Sequence, residues 1–106
     1  MAENRKVKVT VLRRFSPSEV FGDKLPVTPV DNLGACEAFK DGQEFIVDSA
    51  RMPADFPCSS AWQSSIYWYV RAFLWGAEIP GYKESSVVVP SCIDGLRPVI
   101  FKVERV

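Results

Sequence analysis

The C-terminal stretch SVVVPSCIDGLRPVIFKVERV (Ser86–Val106) decides the fold, because it contains the two strongest strand patterns in the chain. β-Branched and aromatic residues dominate Ser86–Ile93 and Leu96–Val106, as they do in β-strands. Asp94 and Gly95 stand between the two runs, and both tolerate the positive φ that a two-residue type I′ turn requires. The stretch therefore predicts a β-hairpin that turns at these two residues.

The predicted register of this hairpin brings a thiol and a guanidinium together. A two-residue loop pairs Ile93 with Leu96, and it therefore places Cys92 opposite Arg97 on one face of the sheet. A guanidinium close to sulfur favours the thiolate, which is the nucleophilic and metal-binding form of cysteine. The alternative is that Arg97 extends to water or pairs with a neighbouring carboxylate, while Cys92 packs as a small apolar side chain.

Two more strands are predicted before the hairpin. The run KVKVTVLRRF (Lys6–Phe15) alternates apolar and polar residues and predicts a half-buried strand that pairs with one hairpin strand. The irregular connection Ser16–Ala35 follows, with a short helical turn near Pro17–Phe21. A turn at Asp41-Gly42 then leads into a short strand at Glu44–Asp48.

One helix is predicted over Ala61–Trp75. Ser60 and Gln63 fit a capping box at its start, and Gly76 occupies the C′ position at its end. The helix has two apolar stripes: the first is Trp62, Ile66, Tyr69, Val70, Phe73 and Leu74, and the second is Tyr67, Trp68, Arg71 and Trp75. An amphipathic surface helix has a single apolar face, so the second stripe predicts a cover, either a long loop or a second subunit. The same aromatics also fit ordinary core packing.

Together these elements predict an α+β domain, with a small curled, mostly antiparallel sheet or partial barrel packed around one central helix. With 106 residues the chain has the size of one domain, and we expect residues 1–106 to form a single unit. Apolar residues make up 47% of the chain and charged residues 25%, which is typical of a folded globular protein.

The charge balance argues against two classes of partner. Thirteen basic residues balance thirteen acidic ones, so the chain lacks the positive field that attracts nucleic acid and anionic membranes. The stretch Met1–Lys8 is polar, and no run approaches the roughly 20 apolar residues of a membrane span. The three cysteines form no close pair, which favours reduced thiols over a secreted disulfide scaffold. We therefore expect a cytoplasmic protein without a nucleic-acid or membrane partner.

The chain contains no histidine. This excludes triads that depend on imidazole, the usual general base at neutral pH and histidine ligation of metals. Chemistry must come from thiols, carboxylates, Lys, Arg, Tyr or a cofactor. Asp48, Asp55 and Asp94 are available as bases if they are buried, and each also fits a turn or loop residue that bonds its own backbone.

The three thiols are the leading candidates for a site. Cys36 ends the long connection, Cys92 precedes the hairpin turn, and Cys58 precedes the helix, where N–H groups and the helix dipole favour a thiolate. All three stand at the edges of elements and can converge at one end of the sheet. Cys92, Arg97 and Cys58 are the candidate catalytic groups.

A metal is the possible cofactor of such a site. Cys36, Cys58 and Cys92 would ligate a metal ion or an iron–sulfur cluster, and the fourth ligand would be Glu37, Asp55, Asp94, water or substrate. Their spacing contains no C-x-x-C motif, so the sequence leaves open whether a cofactor is present.

Several residue strings resemble those of a known family. They are Cys36 with FKDGQEF (Phe39–Phe45), Met52-Pro53, Cys58 with Ala61-Trp62, and CIDGLRPVIFK (Cys92–Lys102). These strings resemble a family of small, uncharacterised bacterial and archaeal proteins, and the similarity runs from about Lys6 to Val106. The motif C-x-D-G-L-R-P-V-I-F-K is the most specific part. The resemblance implies cysteines shared at positions 36, 58 and 92 and therefore a shared thiol site, without naming its reaction.

Three functions fit the sequence. The first, which we favour, is a thiol-centred site that binds a metal or cluster or acts through redox or nucleophilic cysteine, with Arg97 attracting a small anionic ligand. The second is a non-catalytic, homo-oligomeric binding or assembly module whose second aromatic stripe is buried against a partner and whose cysteines are structural. The third is an enzyme that encloses an apolar substrate in the barrel, with Asp or Tyr as acid and base. A homo-oligomer is compatible with the first function as well as the second.

Overall fold

The structure of the chain is a computed structural model, and it describes residues 5–106. The first four residues of the polar stretch Met1–Lys8, and with them the start of the predicted domain 1–106, lie outside the described residues. The strands are β1 (Val7–Arg14), β2 (Glu44–Val47), β3 (Val87–Val88) and β4 (Val99–Arg105). A short helix, α1 (Pro17–Phe21), follows β1 at the predicted place, and a second helix, called the long helix below, runs from Ser59 to Leu74.

The strands form one open, antiparallel sheet in the order β2-β1-β4-β3. This confirms the predicted α+β class and the predicted pairing of the N-terminal strand with a hairpin strand. The sheet ends at β2 on one side and at β3 on the other, so the strands do not close into a barrel. Within residues 5–106 the sheet therefore encloses no interior of the kind that the third function requires.

The core lies between the sheet and the long helix. Val7, Val9 and Val11 of β1 are fully buried because the alternation of this strand directs them all to one face. Val9 pairs with Phe45 on one side and with Val103 on the other. The long helix covers this face with its first stripe, from which four side chains are buried: Trp62, Ile66, Val70 and Phe73. Burial of each such side chain contributes about 1.5–3 kcal/mol, which explains why the two alternating valine-rich strands dominate the fold.

The long helix consists of three consecutive segments. An α-helical turn, Ser59–Ala61, is followed by a π-helical segment, Trp62–Ile66, and an α-helical segment, Tyr67–Leu74. The Tyr67 N–H donates to the Trp62 carbonyl, five residues earlier in the chain. Short π-helical segments are rare and occur frequently at functional sites.

The start of the long helix differs from the prediction. Its N-cap is Cys58, whose backbone is extended at φ −141° and ψ 106° and whose side chain accepts a hydrogen bond from the Ala61 N–H. Ser60 lies inside the first turn, so the predicted capping box with Gln63 is wrong. A sulfur atom takes the place of the expected hydroxyl at the cap.

The end of the long helix confirms the predicted glycine and adds two arginines. Gly76 has a φ of +87°, in the left-handed region that glycine adopts without strain. Arg105 Nη1 donates to the carbonyls of Phe73, at 3.2 Å, and Ala77, at 2.8 Å. Arg5 Nη1 donates to a carbonyl of the last turn at 3.2 Å. Cations from both ends of the described chain therefore bond the carbonyls at the negative end of this helix.

The C-terminal hairpin has a different register from the predicted one. Ser91 pairs with Ile100, and the Cys92 N–H donates to the Val99 carbonyl at 3.0 Å. Cys92 therefore faces Val99, and the predicted pairing of Cys92 with Arg97 is wrong.

The turn is longer than predicted because the Asp94 carboxylate organises it. Asp94 Oδ1 accepts hydrogen bonds from the backbone N–H groups of Leu96, at 3.0 Å, and Arg97, at 3.2 Å. Neither Asp94 nor Gly95 has the positive φ of a type I′ turn. An aspartate that bonds the backbone two residues on forms its own turn, and the simple loop of two residues is not used.

The first hairpin strand is also shorter than predicted. The predicted strand Ser86–Ile93 is reduced to β3, Val87–Val88, and one isolated bridge at Ser91. Pro90 lies between them and has no N–H to donate to the ladder.

Within residues 5–106, neither helix combines the length and the apolar character that crossing a membrane would need.

Candidate functional site

A pocket of about 290 Å³ lies between the start of the long helix and the C-terminal hairpin. All three cysteines line it, although they come from three distant parts of the sequence, and Arg97 lines it with them. Each of the three thiols is half-buried, and none is in a disulfide. The pocket, called the thiol pocket below, is also lined by Phe39, Ser60, Ala61, Ile93, Asp94 and Val99.

Cys58 is positioned by the start of the long helix. Its Sγ accepts a hydrogen bond from the Ala61 N–H at 3.5 Å, which satisfies one of the N–H groups that a helix leaves unpaired in its first turn. The predicted place of Cys58 at a helix N-terminus is confirmed, and it is closer to the helix than expected because the thiol is itself the cap. An N–H group directed at sulfur interacts more strongly with a thiolate than with a thiol.

Cys92 is positioned by β4. Its N–H donates to the Val99 carbonyl at 3.0 Å, and its Sγ accepts from the Val99 N–H at 3.3 Å. Both thiols thus have a backbone donor, one from a helix and one from a strand. The sulfurs of Cys58 and Cys92 therefore each accept a backbone N–H bond at the thiol pocket, although the donors belong to different elements.

Cys36 is positioned by its backbone. Arg14, near the end of β1, donates from Nη1 to the Cys36 carbonyl at 2.9 Å and from Nε to Asp41 Oδ1 at 3.0 Å. The arginine links the long connection to the turn before β2. This contact brings the third thiol to the pocket, and no sequence pattern pointed to it.

Arg97 reaches the thiol pocket from the hairpin turn. Its Nε lies 3.5 Å from Asp94 Oδ2, and 31% of its side chain is exposed. The alternative interpretation, in which Arg97 pairs with a neighbouring carboxylate, is therefore correct, and Arg97 lines the same pocket as the thiols as well. Its Nη groups make no hydrogen bond within residues 5–106, so they are available to a ligand.

One side-chain contact joins the two elements that carry Cys58 and Cys92. Ser65, in the π-helical segment, donates from Oγ to the Ser91 carbonyl at 2.9 Å. Ser91 directly precedes Cys92 in the chain. The contact therefore holds the helix and the hairpin together at the thiol pocket.

The thiols do not form a ligand set for a metal. Among residues 5–106, no three side chains of His, Cys, Asp or Glu are grouped closely enough to hold a metal ion. The three carboxylates predicted as possible fourth ligands, Glu37, Asp55 and Asp94, are all exposed. Within the described residues, the three thiols and these carboxylates therefore supply no such group of ligands.

The remaining candidate bases were predicted to act only if they are buried, and the structure places them at the surface. Asp48, Asp55 and Asp94 are all exposed, which agrees with their interpretation as turn and loop residues. Five residues that line the pocket were not predicted as part of a site: Phe39, Ser60, Ala61, Ile93 and Val99. Phe39 stands in a mostly polar and charged stretch, where no pattern marks it for a site, and Ser60 fits the cap position that Cys58 occupies.

The second stripe of the long helix, Tyr67, Trp68, Arg71 and Trp75, forms an exposed surface called the outer aromatic face below. Trp68 is 60% exposed and Trp75 is 79% exposed. The predicted cover by a long loop is therefore wrong for these two side chains within the described chain. Two depressions of about 470 Å³ and 320 Å³ lie on this side of the helix, and Trp68 lines both of them.

Comparison of the chain with protein-family models, curated proteins and solved structures finds no match.

Proposed function

We propose that the chain is a small cytoplasmic protein with a thiol-centred site, in which Cys58 and Cys92 act as nucleophilic or redox groups on a small anionic ligand attracted by Arg97. The observation that carries this proposal is the convergence of all three cysteines and Arg97 on one pocket. The resemblance of the CIDGLRPVIFK string to a family with three shared cysteines supports the same site.

Packing alone is a weaker explanation of the three thiols. Cysteines that serve only as small apolar side chains are usually fully buried, whereas all three here are half-buried at a cavity wall. Two of the sulfurs accept backbone N–H bonds, at 3.5 Å and 3.3 Å, and such donors stabilise an anionic sulfur. The three thiols are thus accessible from the pocket, which a role in packing alone does not require.

Paired alkylating reagents test the proposal. A thiolate displaces iodide from iodoacetate and from iodoacetamide by the same reaction, and the two reagents differ in charge. The net charge of the chain is zero, so the ratio of the two rates reports the local field at each thiol. We expect iodoacetate to be favoured in the native protein, and the ratio to fall about threefold or more in Arg97→Ala.

The matched control is Arg13→Ala. Arg13 is an exposed arginine that pairs with Glu19 at 3.3 Å and does not line the thiol pocket. Peptide mapping by mass spectrometry assigns each rate to Cys36, Cys58 or Cys92. Equal effects of the two variants, or three thiols that react only after denaturation, would contradict the proposal.

The second candidate function is a homo-oligomeric assembly module, and the outer aromatic face favours it. Exposed tryptophan is enriched where proteins bind one another, and Trp68 and Trp75 lie on the same side of one helix. Sedimentation of the wild type against Trp68→Ala tests it, with Tyr82→Ala as the control because Tyr82 is 56% exposed elsewhere on the surface. A wild type that sediments as a monomer at all concentrations removes this function.

A further inference from the structure

We propose that the ligand of the thiol pocket is a small monocarboxylate with an apolar body of about one ring, bound with its carboxylate at Arg97 and its body among the three half-buried thiols. This inference rests on the proposed function, because it takes the thiol pocket as the binding site. It adds the charge, the shape and the orientation of the ligand.

The charged end of the pocket favours a ligand that carries a single negative charge. Arg97 lies 3.5 Å from Asp94 through Nε, and both side chains line the pocket. The Nη groups of Arg97 offer the planar donor pair that a carboxylate binds with two parallel hydrogen bonds. The Asp94 charge already offsets much of the guanidinium charge, so a dianion such as phosphate meets repulsion that a monoanion largely escapes.

The other end of the pocket is apolar and rigid. Phe39 is 1% exposed, and its ring meets those of Phe101 and Phe56 edge to face, with centroids 5.2 Å and 5.4 Å apart. Ala61 and Val99 are buried on the neighbouring walls. These buried side chains form a close-packed floor that does not collapse when the pocket is empty, and above it the half-buried Cys36, Cys58 and Cys92 supply the wall that a ligand reaches.

The burial of the walls sets the orientation of the ligand. Ile93, at 72% exposure, and Asp94 lie on the exposed hairpin turn, whereas Phe39 and Ala61 belong to the core. The carboxylate therefore lies at the mouth, near Arg97, and the apolar body points inward, where the three thiols line the walls. A volume of about 290 Å³ is at the small end of ligand pockets, which limits the body to about one ring.

Benzoate, benzamide and inorganic phosphate are the probes that separate these features. Benzoate has one negative charge and a ring, benzamide has the ring without the charge, and phosphate has no ring and carries up to two negative charges near neutral pH. Binding of the two ring compounds is followed by saturation-transfer NMR, and protection of the thiols by each probe is followed by the rate of alkylation with neutral iodoacetamide. We expect benzoate at millimolar concentration to slow alkylation about tenfold, with little effect of benzamide or phosphate.

Arg97→Ala and Arg13→Ala complete the test. We expect Arg97→Ala to abolish both the NMR signal of bound benzoate and the protection of the thiols by benzoate. We expect Arg13→Ala to preserve both. Protection by benzamide or phosphate equal to that by benzoate, or benzoate binding that survives in Arg97→Ala, would overturn the inference while leaving the thiol site in place. Thiols that do not react with iodoacetamide in the native protein without any probe would overturn the proposed function itself, and NMR binding of benzoate is read independently of that reactivity.

Discussion

The Ser65 hydroxyl donates a hydrogen bond to the Ser91 carbonyl at 2.9 Å, and this contact links the helix capped by Cys58 to the segment that carries Cys92. Ser65 lies in the π-helical segment Trp62–Ile66, one residue after Ser64, whose hydroxyl bonds the Ala61 carbonyl of its own helix at 3.4 Å. Of the two neighbouring serine hydroxyls, only that of Ser65 bonds across from the helix to the hairpin.

Ser65→Ala is expected to raise the rate of alkylation of Cys92 relative to Cys58. Loss of the bond, worth about 0.5–1.5 kcal/mol, allows the Ser91–Cys92 segment to separate from the helix more often. The ratio is measured by peptide mapping after brief exposure to iodoacetamide. Ser64→Ala should leave the ratio unchanged, and Ser65→Thr, which keeps a hydroxyl, should restore it. An equal ratio in Ser65→Ala and Ser64→Ala would show that Ser65 does not position Cys92.

Gly76→Ala is expected to destabilise the fold by about 1–2 kcal/mol. The φ of Gly76 is +87°, and a Cβ atom at this position would lie 3.1 Å from Arg5 Nη2, next to the group that bonds the last helical turn. Gly95→Ala is the control, because Gly95 has no positive φ and a Cβ there meets nothing within 4 Å. Urea unfolding gives both values, and a destabilisation of Gly95→Ala as large as that of Gly76→Ala would contradict this account of the helix end.

Glu19→Gln is expected to make the stability of the fold less dependent on pH. The Ser16 backbone N–H, which donates to Glu19 Oε1 at 2.9 Å, lowers the pKa of the Glu19 carboxyl, and the Ser16 hydroxyl and Arg13 act in the same direction. A lowered pKa stabilises the folded state above the ordinary pKa of glutamate, and the contribution disappears as the pH falls through the lowered value.

Urea midpoints between about pH 3 and pH 7 measure this effect. The wild type should exceed Glu19→Gln at the upper end of the range and match it at the lower end. Glu37→Gln, at an exposed glutamate without a hydrogen bond in residues 5–106, is the control and should not reproduce the difference. A constant gap between wild type and Glu19→Gln at every pH would contradict the charge-based explanation.

The strands that hold the core could be predicted because their signal is local. Val7, Val9 and Val11 alternate with polar residues, and this pattern alone places β1 with one buried face. The helix end at Gly76 is local as well. The short helix α1 was found from its proline and its composition for the same reason.

The thiol pocket depends on information that is not local. The register of the hairpin depends on a carboxylate that bonds its own turn and on a proline that interrupts the ladder, so the predicted pairing of Cys92 with Arg97 was wrong although both residues reach one pocket. The sequence predicted Ser60 as the N-cap because Ser60 fits the common hydroxyl pattern. The helix is instead capped by Cys58, whose sulfur is a rarer acceptor at this position. The bond from Arg14 to the Cys36 carbonyl spans 22 residues and has no sequence signature.

The three thiols share one pocket, and the number of labels that the native protein accepts tests this arrangement most directly. N-phenylmaleimide adds to a thiol across its double bond, and its ring fills much of a pocket of about 290 Å³. We predict that intact mass spectrometry shows one label on the native protein, divided among Cys36, Cys58 and Cys92, and three labels after denaturation in guanidinium. The result that would contradict a shared pocket is three labels on the native protein, with each cysteine labelled as fast as in the variant that retains only that cysteine.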